Sequence, residues 1–300
     1  MKKYKRIYIE ITNICNLNCN FCPKTGRPQS FMSRDLFERI LIQIKGITKF
    51  IYFHVMGEPF LHPDILSYLD LCHKHGFRVN ITTNGTLIDK VKEDIFSKPA
   101  LRQLNFSLHS FDANESQYSF ENLYSFENLY SMDTYLDNIF AFVHKSLDVS
   151  KLQICLRLWN LSQEGNNSAN SYILSRIEKE FNLDFTIEDK LTPCNGINLV
   201  ENVFLNQASK FDWPNINNEV VGDRGFCHGL RDQVAFLVDG TVVPCCLDGE
   251  GVISLGNIKN DDFKDILQSK RATGIFDGFS KRIAVEELCK KCSYRIRFNE

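Results

Sequence analysis

The chain lacks a strong excess of charge of either sign: 35 Lys and Arg against 37 Asp and Glu leave a formal net charge of −2 over 300 residues. That balance argues against the basic footprint of a nucleic-acid-binding protein, and so against nucleic acid as a partner. A long apolar run is also missing. The basic start Met-Lys-Lys-Tyr-Lys-Arg leads into an apolar stretch that Glu10 and Asn13 interrupt, which excludes a signal peptide or a membrane span there and points to a cytoplasmic protein. Without an export signal a disulfide framework is not expected, so the 11 cysteines read as metal or redox chemistry. With 43% hydrophobic residues the chain can bury a large core, as one domain or as a large plus a small module.

Three of the cysteines stand close together in Cys15-Asn-Leu-Asn-Cys19-Asn-Phe-Cys22. A closed electron-transfer cluster takes four protein ligands, so a set of three leaves one iron open, as catalytic zinc sites leave one position open. A second set lies near the C-terminus: Cys227, then Gly240-Thr-Val-Val-Pro-Cys245-Cys246, then Cys289-Lys-Lys-Cys292. Four ligands can close a cluster, with Cys246 as the alternative to Cys245, and the spacing equally permits a four-cysteine zinc site. Cys72 and Cys155 read as buried small hydrophobes; Cys194 receives no assignment.

Short β-rich runs alternate with helical patterns. Arg6 to Thr12, Phe50 to Met56, Phe77 to Thr83, Leu104 to Ser110 and Leu152 to Leu158 read as strands, and a sixth is expected near Phe185 to Glu188, after a helix over Tyr172 to Phe181. Such alternation means a parallel sheet. Ser33 is a good N-cap for a first helix through Leu36, Ile40, Leu41 and Ile44, stopping at Gly46. The strands themselves alternate polar and apolar residues, whereas parallel strands covered on both faces are normally apolar throughout. Glu10 and Thr12, Asn80 and Thr82, Asn105 and Ser107, and Cys155 and Arg157 therefore share polar faces, which line an interior built for a polar ligand. A tandem hexapeptide, Tyr-Ser-Phe-Glu-Asn-Leu at 118–123 and 124–129, reads as an expanded surface or helix-start segment. The Asn-rich stretch from Asp189 to Gly225 reads as an irregular bridge, in which Phe211-Asp212-Trp213-Pro214 is placed to fold over the active site.

Five motifs fall at the C-terminal ends of successive strands, the rim at which parallel barrels bind ligands. They are the cysteine loop, Met56-Gly57-Glu58-Pro59, Thr82-Thr83-Asn84-Gly85-Thr86, Ser107-Leu108-His109-Ser110 and Arg157-Leu158-Trp159-Asn160. Each is weak alone; their common location carries the reading. Strand alternation aims His54 and His109 to the same side as these motifs, as candidate catalytic groups, although a lone histidine is more often a satisfied core residue.

The cysteine spacing and these motifs resemble the radical S-adenosylmethionine (SAM) superfamily over roughly residues 5 to 190. The resemblance implies a partial (βα)6 TIM-like barrel of α/β class. In it Cys15, Cys19 and Cys22 ligate a [4Fe-4S] cluster whose open iron is chelated by SAM, and an electron from the cluster breaks the C5'–S bond to give methionine and a 5'-deoxyadenosyl radical. It implies further that Phe21 lies near the adenine, that Gly57-Glu58-Pro59 is the end of a Gly-Gly-Glu-Pro motif holding the SAM amino group, and that Asn84 and Ser107 contact the ribose or carboxylate. Arg157 falls where a basic residue meets the SAM carboxylate, a charge-assisted pair. Met56 departs from the motif by replacing its first glycine.

The C-terminal cysteines resemble the SPASM and twitch extensions of the same superfamily, a small β-hairpin plus helix module. Lacking the further cysteines of a full SPASM pattern, this one implies a single auxiliary [4Fe-4S] cluster on Cys227, Cys245, Cys289 and Cys292. The expected organisation is a barrel over residues 1–200, a bridge over 201–224 and the auxiliary module over 225–300. The implied partners are SAM, a small-molecule or peptide substrate and an external electron donor such as a flavodoxin or ferredoxin, with no membrane. The first strand begins within a few residues of Met1, where peptide maturases often carry a leader-binding domain, so the balance moves toward a small or partner-delivered substrate. The alternatives from other classes are a non-catalytic iron-sulfur electron carrier or redox sensor, and an adaptor protein with a zinc-bound C-terminus.

Overall fold

Ile7, Ile9 and Ile11 on one side and Glu10 on the other are all essentially inaccessible to water, so the first strand is buried on its apolar and its polar face alike. The computed structural model describes residues 3–91, 93–113, 132–161, 167–190 and 196–298; the duplicated hexapeptide and Cys194 lie outside them. The chain forms two compact units, one of Met1–Asn16, Pro23–Asn80 and Phe211–Glu300, the other of Leu17–Cys22 and Ile81–Lys210.

The first unit is built on β1 (Arg6–Ile9), α1 (Arg34–Gln43), β2 (Phe50–Phe53) and α2 (Ile65–Lys74). Ser33 caps α1 as expected, its hydroxyl accepting from the Leu36 N–H at 3.4 Å; this satisfies one of the donors a helix start leaves orphaned. Gly46, at φ 77°, ends that segment. Phe37 of α1 stacks on Tyr68 of α2 at 4.2 Å and meets Phe53 of β2 edge-on at 5.6 Å. The two helices thereby seal the apolar side of β1 and β2, which pair in parallel. Next, β3 (Arg78–Thr83) crosses from the first unit into the second after Asn80.

In the second unit β4 (Leu101–Ser107) leads through α3 (His109–Asp112) to α4 (Met132–Val149), β5 (Gln153–Leu161), α5 (Ser168–Glu180) and α6 (Ile187–Lys190). β6 (Gly196–Val200) and β7 (Val203–Ser209) follow. Parallel β4, β5 and β7 bury Leu104, Phe106, Ile154, Leu156 and Leu205, while α4 buries Leu136, Ile139 and Val143 and α5 buries Ile173 and Ile177; Phe106 of β4 meets Phe142 of α4 edge-on at 6.0 Å. Two sequence expectations are corrected here. The strand expected near Phe185 to Glu188 is instead the short helix α6, and the strand beside β5 is β7, inside the stretch read as irregular. Asn202 sits in the left-handed region at φ 61° and turns β6 back onto β7 as an antiparallel hairpin. Asparagine tolerates that conformation, so the Asn-rich composition marked a tight turn. A third correction is local: β4 ends at Ser107, so His109 opens α3 and does not continue a strand.

The remaining elements return to the first unit: β8 (Gln233–Phe236), β9 (Thr241–Val243), β10 (Gly256–Asn257), α7 (Phe263–Gln268), α8 (Lys270–Ser280) and α9 (Glu287–Lys290). The expected hairpin is β8–β9. β8 also lies parallel to β1 from Arg6↔Gln233 to Ile9↔Phe236, so the C-terminal hairpin extends the sheet of the N-terminal strands. Among the described residues no helix is long and apolar enough to cross a membrane.

Candidate functional site

The residues after β1 pin both ends of the cysteine loop. Asn13 accepts from the Ser30 N–H at 2.8 Å and donates to the Pro28 carbonyl at 2.9 Å, while the Thr12 hydroxyl donates to the Ser30 carbonyl at 3.0 Å. Cys15 is exposed and belongs to the first unit; Cys19 is buried, Cys22 is half-buried, and both belong to the second. Within the second unit the Cys19 Sγ lies 3.5 Å from the Ser110 carbonyl, the Asn20 N–H donates to Ala113 at 2.9 Å, and the Phe21 ring packs on His109 at 4.8 Å. His109 is pushed down to about 4 by burial, and its Nδ1 takes the Trp159 N–H at 3.3 Å. It is a neutral, enclosed ring backing Phe21. His54, just past β2, packs edge-on against Tyr8 at 5.2 Å.

One buried carboxylate organises the first unit. Glu10 receives both guanidinium nitrogens of Arg27, at 2.7 and 2.8 Å, together with the Met56 N–H at 3.2 Å and the Val238 N–H at 2.9 Å. Its two oxygens therefore tie β1 to the loop after Cys22, to the start of the Gly57-Glu58-Pro59 turn and to the end of β8. Sequence reasoning placed Glu10 on a polar face but gave it no role, and Arg27 was not singled out. The available signal was an acidic residue in the middle of a strand, a position that demands a cation or several donors.

Gly57, at φ 78°, approaches the backbone so closely that a Cβ there would lie 2.4 Å from the Thr12 carbonyl and 2.9 Å from that of Ile14. The Glu58 N–H donates to Ile14 at 2.8 Å, and its carboxylate caps the following turn by accepting from Phe60 at 3.0 Å. Glu58 thus shapes the loop through its backbone and a local cap. Met56, where the motif has glycine, rests its thioether against Gly249, in the segment just after Cys245-Cys246.

The polar side of the second unit is a connected network. Arg157 Nη2 donates to Asn105 Oδ1 at 2.7 Å, and Asn105 donates in turn to the Ile81 carbonyl at 2.9 Å. The Arg157 guanidinium lies 4.8 Å over Trp159, whose indole N–H donates to Asn206 at 2.6 Å. Ser107 stands in register opposite Arg157. Asn84 closes an Asx turn by accepting from the Thr86 N–H and hydroxyl at 3.0 and 2.7 Å. The Arg157 Nε is buried without a partner. A charged donor held by its neighbours and still carrying an unused N–H suits an anionic ligand group such as the SAM carboxylate.

In the first unit Cys227, Cys245, Cys289 and Cys292 line a single cavity, and Cys246 is not among its walls. Cys246 instead lies beside the Tyr8 phenol. Cys245 directly follows β9 and the Pro244 link, Cys289 rides on α9, and Cys292 begins the turn beyond it, so the hairpin and the helix converge on this space as the sequence implied. Pro214 also lines it, and Phe211 packs on Tyr294 at 4.8 Å; the Phe211–Pro214 segment therefore lies against this module. Burial raises the Cys227 thiol to about 11 and lifts Cys245 and Cys289 well above the ordinary range, with the neighbouring thiols adding to the effect. Four thiols that resist ionisation alone are thereby held where a metal centre would deprotonate them. Among the described residues no three His, Cys, Asp or Glu side chains close on a single-ion position; the thiols ring a space. The other walls are mostly apolar, Leu247, Ile253, Phe279, Leu288 and Phe298, with Gln233, Tyr294 and Arg295 among them; the one carboxylate, Asp248, spends its oxygens on the Val252 and Ile253 N–H groups at 2.9 and 2.8 Å. An all-thiol donor set in a largely apolar shell that also carries the cation Arg295 fits an iron-sulfur cluster.

Two family models match the chain. The model of the radical SAM superfamily matches residues 9–156, and that of the SPASM iron-sulfur cluster-binding domain matches residues 227–293. A tungsten-containing aldehyde ferredoxin oxidoreductase cofactor-modifying protein from Pyrococcus furiosus is 40% identical over 88 residues, 28% of this chain and 25% of that protein. A probable GTP 3',8-cyclase from Sulfurisphaera tokodaii is 27% identical over 161 residues, 53% of this chain and 49% of the other. The chain thus spans between a quarter and about half of these relatives. Among solved structures, BtrN in complex with AdoMet and 2-DOIA is 16% identical over 98% of this chain and 94% of that one, with a TM-score of 0.55. Streptococcus suis SuiB bound to the precursor peptide SuiA is 16% identical over 100% of this chain and 74% of the other, with a TM-score of 0.57. These likenesses carry the fold. A radical SAM match across the strand-and-helix region, with a cluster-binding match across the region that holds the four-cysteine cavity, places the chain in the radical SAM superfamily, with a C-terminal SPASM-type iron-sulfur domain.

Proposed function

We propose that the chain is a cytoplasmic enzyme that uses SAM to abstract a hydrogen atom from an unactivated carbon of its substrate, with Cys15, Cys19 and Cys22 holding the SAM-binding cluster. A radical SAM domain binds a [4Fe-4S] cluster and SAM, and the C-terminal domain binds an auxiliary iron-sulfur cluster. When bound, that first pair supplies one-electron cleavage of the C5'–S bond, with the electron coming from an external donor of the flavodoxin or ferredoxin type. The chain's own residues would bind and orient SAM: the Gly57-Glu58 backbone would hold its amino group, Arg157 would pair with its carboxylate, Asn84 and Ser107 would contact its polar edges, and Phe21, which packs on His109, would flank the adenine. Cys227, Cys245, Cys289 and Cys292 hold the auxiliary cluster, which takes up an electron or positions the substrate.

The observation that carries this reading is the four-thiol cavity in a chain that also has an open three-cysteine set. The substrate class is either a small molecule undergoing dehydrogenation or epimerisation, or a peptide; Arg157 and the buried Asn105 that it contacts favour a polar one. Anaerobic reconstitution with iron and sulfide, then reduction in the presence of SAM, is expected to yield 5'-deoxyadenosine and methionine. The Cys15/Cys19/Cys22→Ala variant should give none. Fully loaded protein that neither binds nor cleaves SAM would move the assignment to a non-catalytic iron-sulfur electron carrier.

A further inference from the structure

Arg295 heads the largest fully buried side chains of the described residues, at 1% exposure, and it lines the cavity that carries Cys227, Cys245, Cys289 and Cys292. Among the described residues its guanidinium donates only to backbone carbonyls: Nε to Cys289 at 3.2 Å, Nη2 to Gly222 at 2.5 Å, and Nη1 to Arg224. The acidic groups nearby are otherwise engaged. Asp248, on the same cavity, accepts from two backbone N–H groups, and Glu286 is paired with Arg271 at 2.7 Å.

A guanidinium stays charged under all working conditions, and a buried charge without a counter-charge is among the costliest arrangements in a protein interior. Here the hydrogen bonds are satisfied, but among the described residues no carboxylate pairs with the charge. The cavity beside it supplies the missing anion only when it is filled: four thiolates around a [4Fe-4S] core leave a net dianion, and one added electron makes it a trianion. A fixed cation within the wall stabilises the more negative state more strongly, because the low-dielectric surroundings screen it little.

We infer that Arg295 is the counter-charge of the auxiliary cluster and sets its reduction potential upward, so that the site is built to accept an electron and not merely to hold the chain together. This deepens the proposal above and rests on the four-cysteine assignment. It is distinct from the geometric part that Arg295 also plays in tying the Gly222–Arg224 segment to Cys289.

The two parts separate by experiment. In full-length protein carrying Cys15/Cys19/Cys22→Ala, the auxiliary cluster is the sole centre, and a mediated electrode supplies the electron while its visible and EPR spectra report the reduced fraction. At the midpoint potential of this parent, Arg295→Met and Arg295→Gln are expected to lower the ratio of reduced to oxidised cluster by about tenfold or more, which is about 59 mV for a one-electron couple. Arg295→Lys, which keeps the charge and loses the fork, should stay within about threefold. A neutral variant with its full iron content and a ratio within about threefold overturns the inference. Should neither neutral variant hold a cluster, retention of the cluster by Arg295→Lys supports the charge role, and its loss there overturns it. Failure of the four-cysteine assignment is seen separately, as a parent without a redox-active iron centre before any change at Arg295.

Discussion

Replacing Glu10 by alanine is expected to destabilise the protein by about 3–5 kcal/mol, the cost of removing one partner from a buried ion pair. The side chain of Glu10 is 0% exposed and that of Arg27 15%, so water cannot solvate the guanidinium that is left behind. The Met56 and Val238 N–H groups would lose their acceptor in the same step, each a buried donor left unsatisfied. Because Met56 opens the Gly57-Glu58-Pro59 turn, the loss should reach the SAM-binding loop as well as global stability. Denaturant unfolding of the metal-free protein measures the first effect, and equilibrium dialysis with SAM on reconstituted protein the second. Adding Arg27→Met to Glu10→Ala should recover part of the stability, since the stranded charge is then gone. A loss below about 1 kcal/mol for Glu10→Ala would show that the four-donor arrangement around it does not hold in solution.

Gly57→Ala is expected to abolish productive SAM binding, and the reason can be isolated with a control in the same molecule. Gly57 and Gly46 share nearly the same backbone angle, φ 78° and 77°. A side chain at Gly46 meets nothing within 4 Å, whereas one at Gly57 meets three backbone atoms at 3.0 Å or less. Gly46→Ala should therefore cost only the left-handed strain, about 1–2 kcal/mol. At Gly57 the obstructing atoms belong to Thr12, Asn13 and Ile14, which cannot rotate away, so the loop itself must move off the end of β1. SAM affinity should fall by about a hundredfold or more in Gly57→Ala and remain unchanged in Gly46→Ala. Equal behaviour of the two variants would refute the close-approach argument.

Much of the arrangement was legible in the sequence where the signals are local. Ser33 and Gly46 bracket α1 because capping and left-handed termination act within a few residues, and short β-rich runs set between helical patterns located β1 to β5. The cysteine sets were legible because metal chemistry constrains residue type and spacing together. Cys72 and Cys155 are indeed buried, as small hydrophobes in α2 and β5. The misses are long-range or compositional. The β6–β7 hairpin is hidden because an asparagine-rich composition looks the same in an irregular stretch and in a tight turn, while Val203, Leu205 and Gln207 alternate inward after the turn at Asn202. The pairing of β8 with β1 joins residues more than two hundred positions apart, and no periodicity can announce it. The same holds for Glu10: a strand position says that the carboxylate faces inward, but only the fold brings Arg27, Met56 and Val238 to it. The choice between Cys245 and Cys246 was likewise open in the sequence. Adjacent residues point in different directions, and the cavity takes the first while Tyr8 takes the second.

The most direct test of the two-centre account is the iron and acid-labile sulfide content per chain after anaerobic reconstitution, measured in parallel on a small set of variants. Two four-iron clusters predict about eight irons for the unaltered chain. About four should remain in Cys15/Cys19/Cys22→Ala, about four in Cys245→Ala, and about eight in Cys246→Ala. An unaltered chain that stops at about four irons with zinc bound in the C-terminal domain would contradict the account, as would a Cys246→Ala protein that loses its second cluster while Cys245→Ala keeps it.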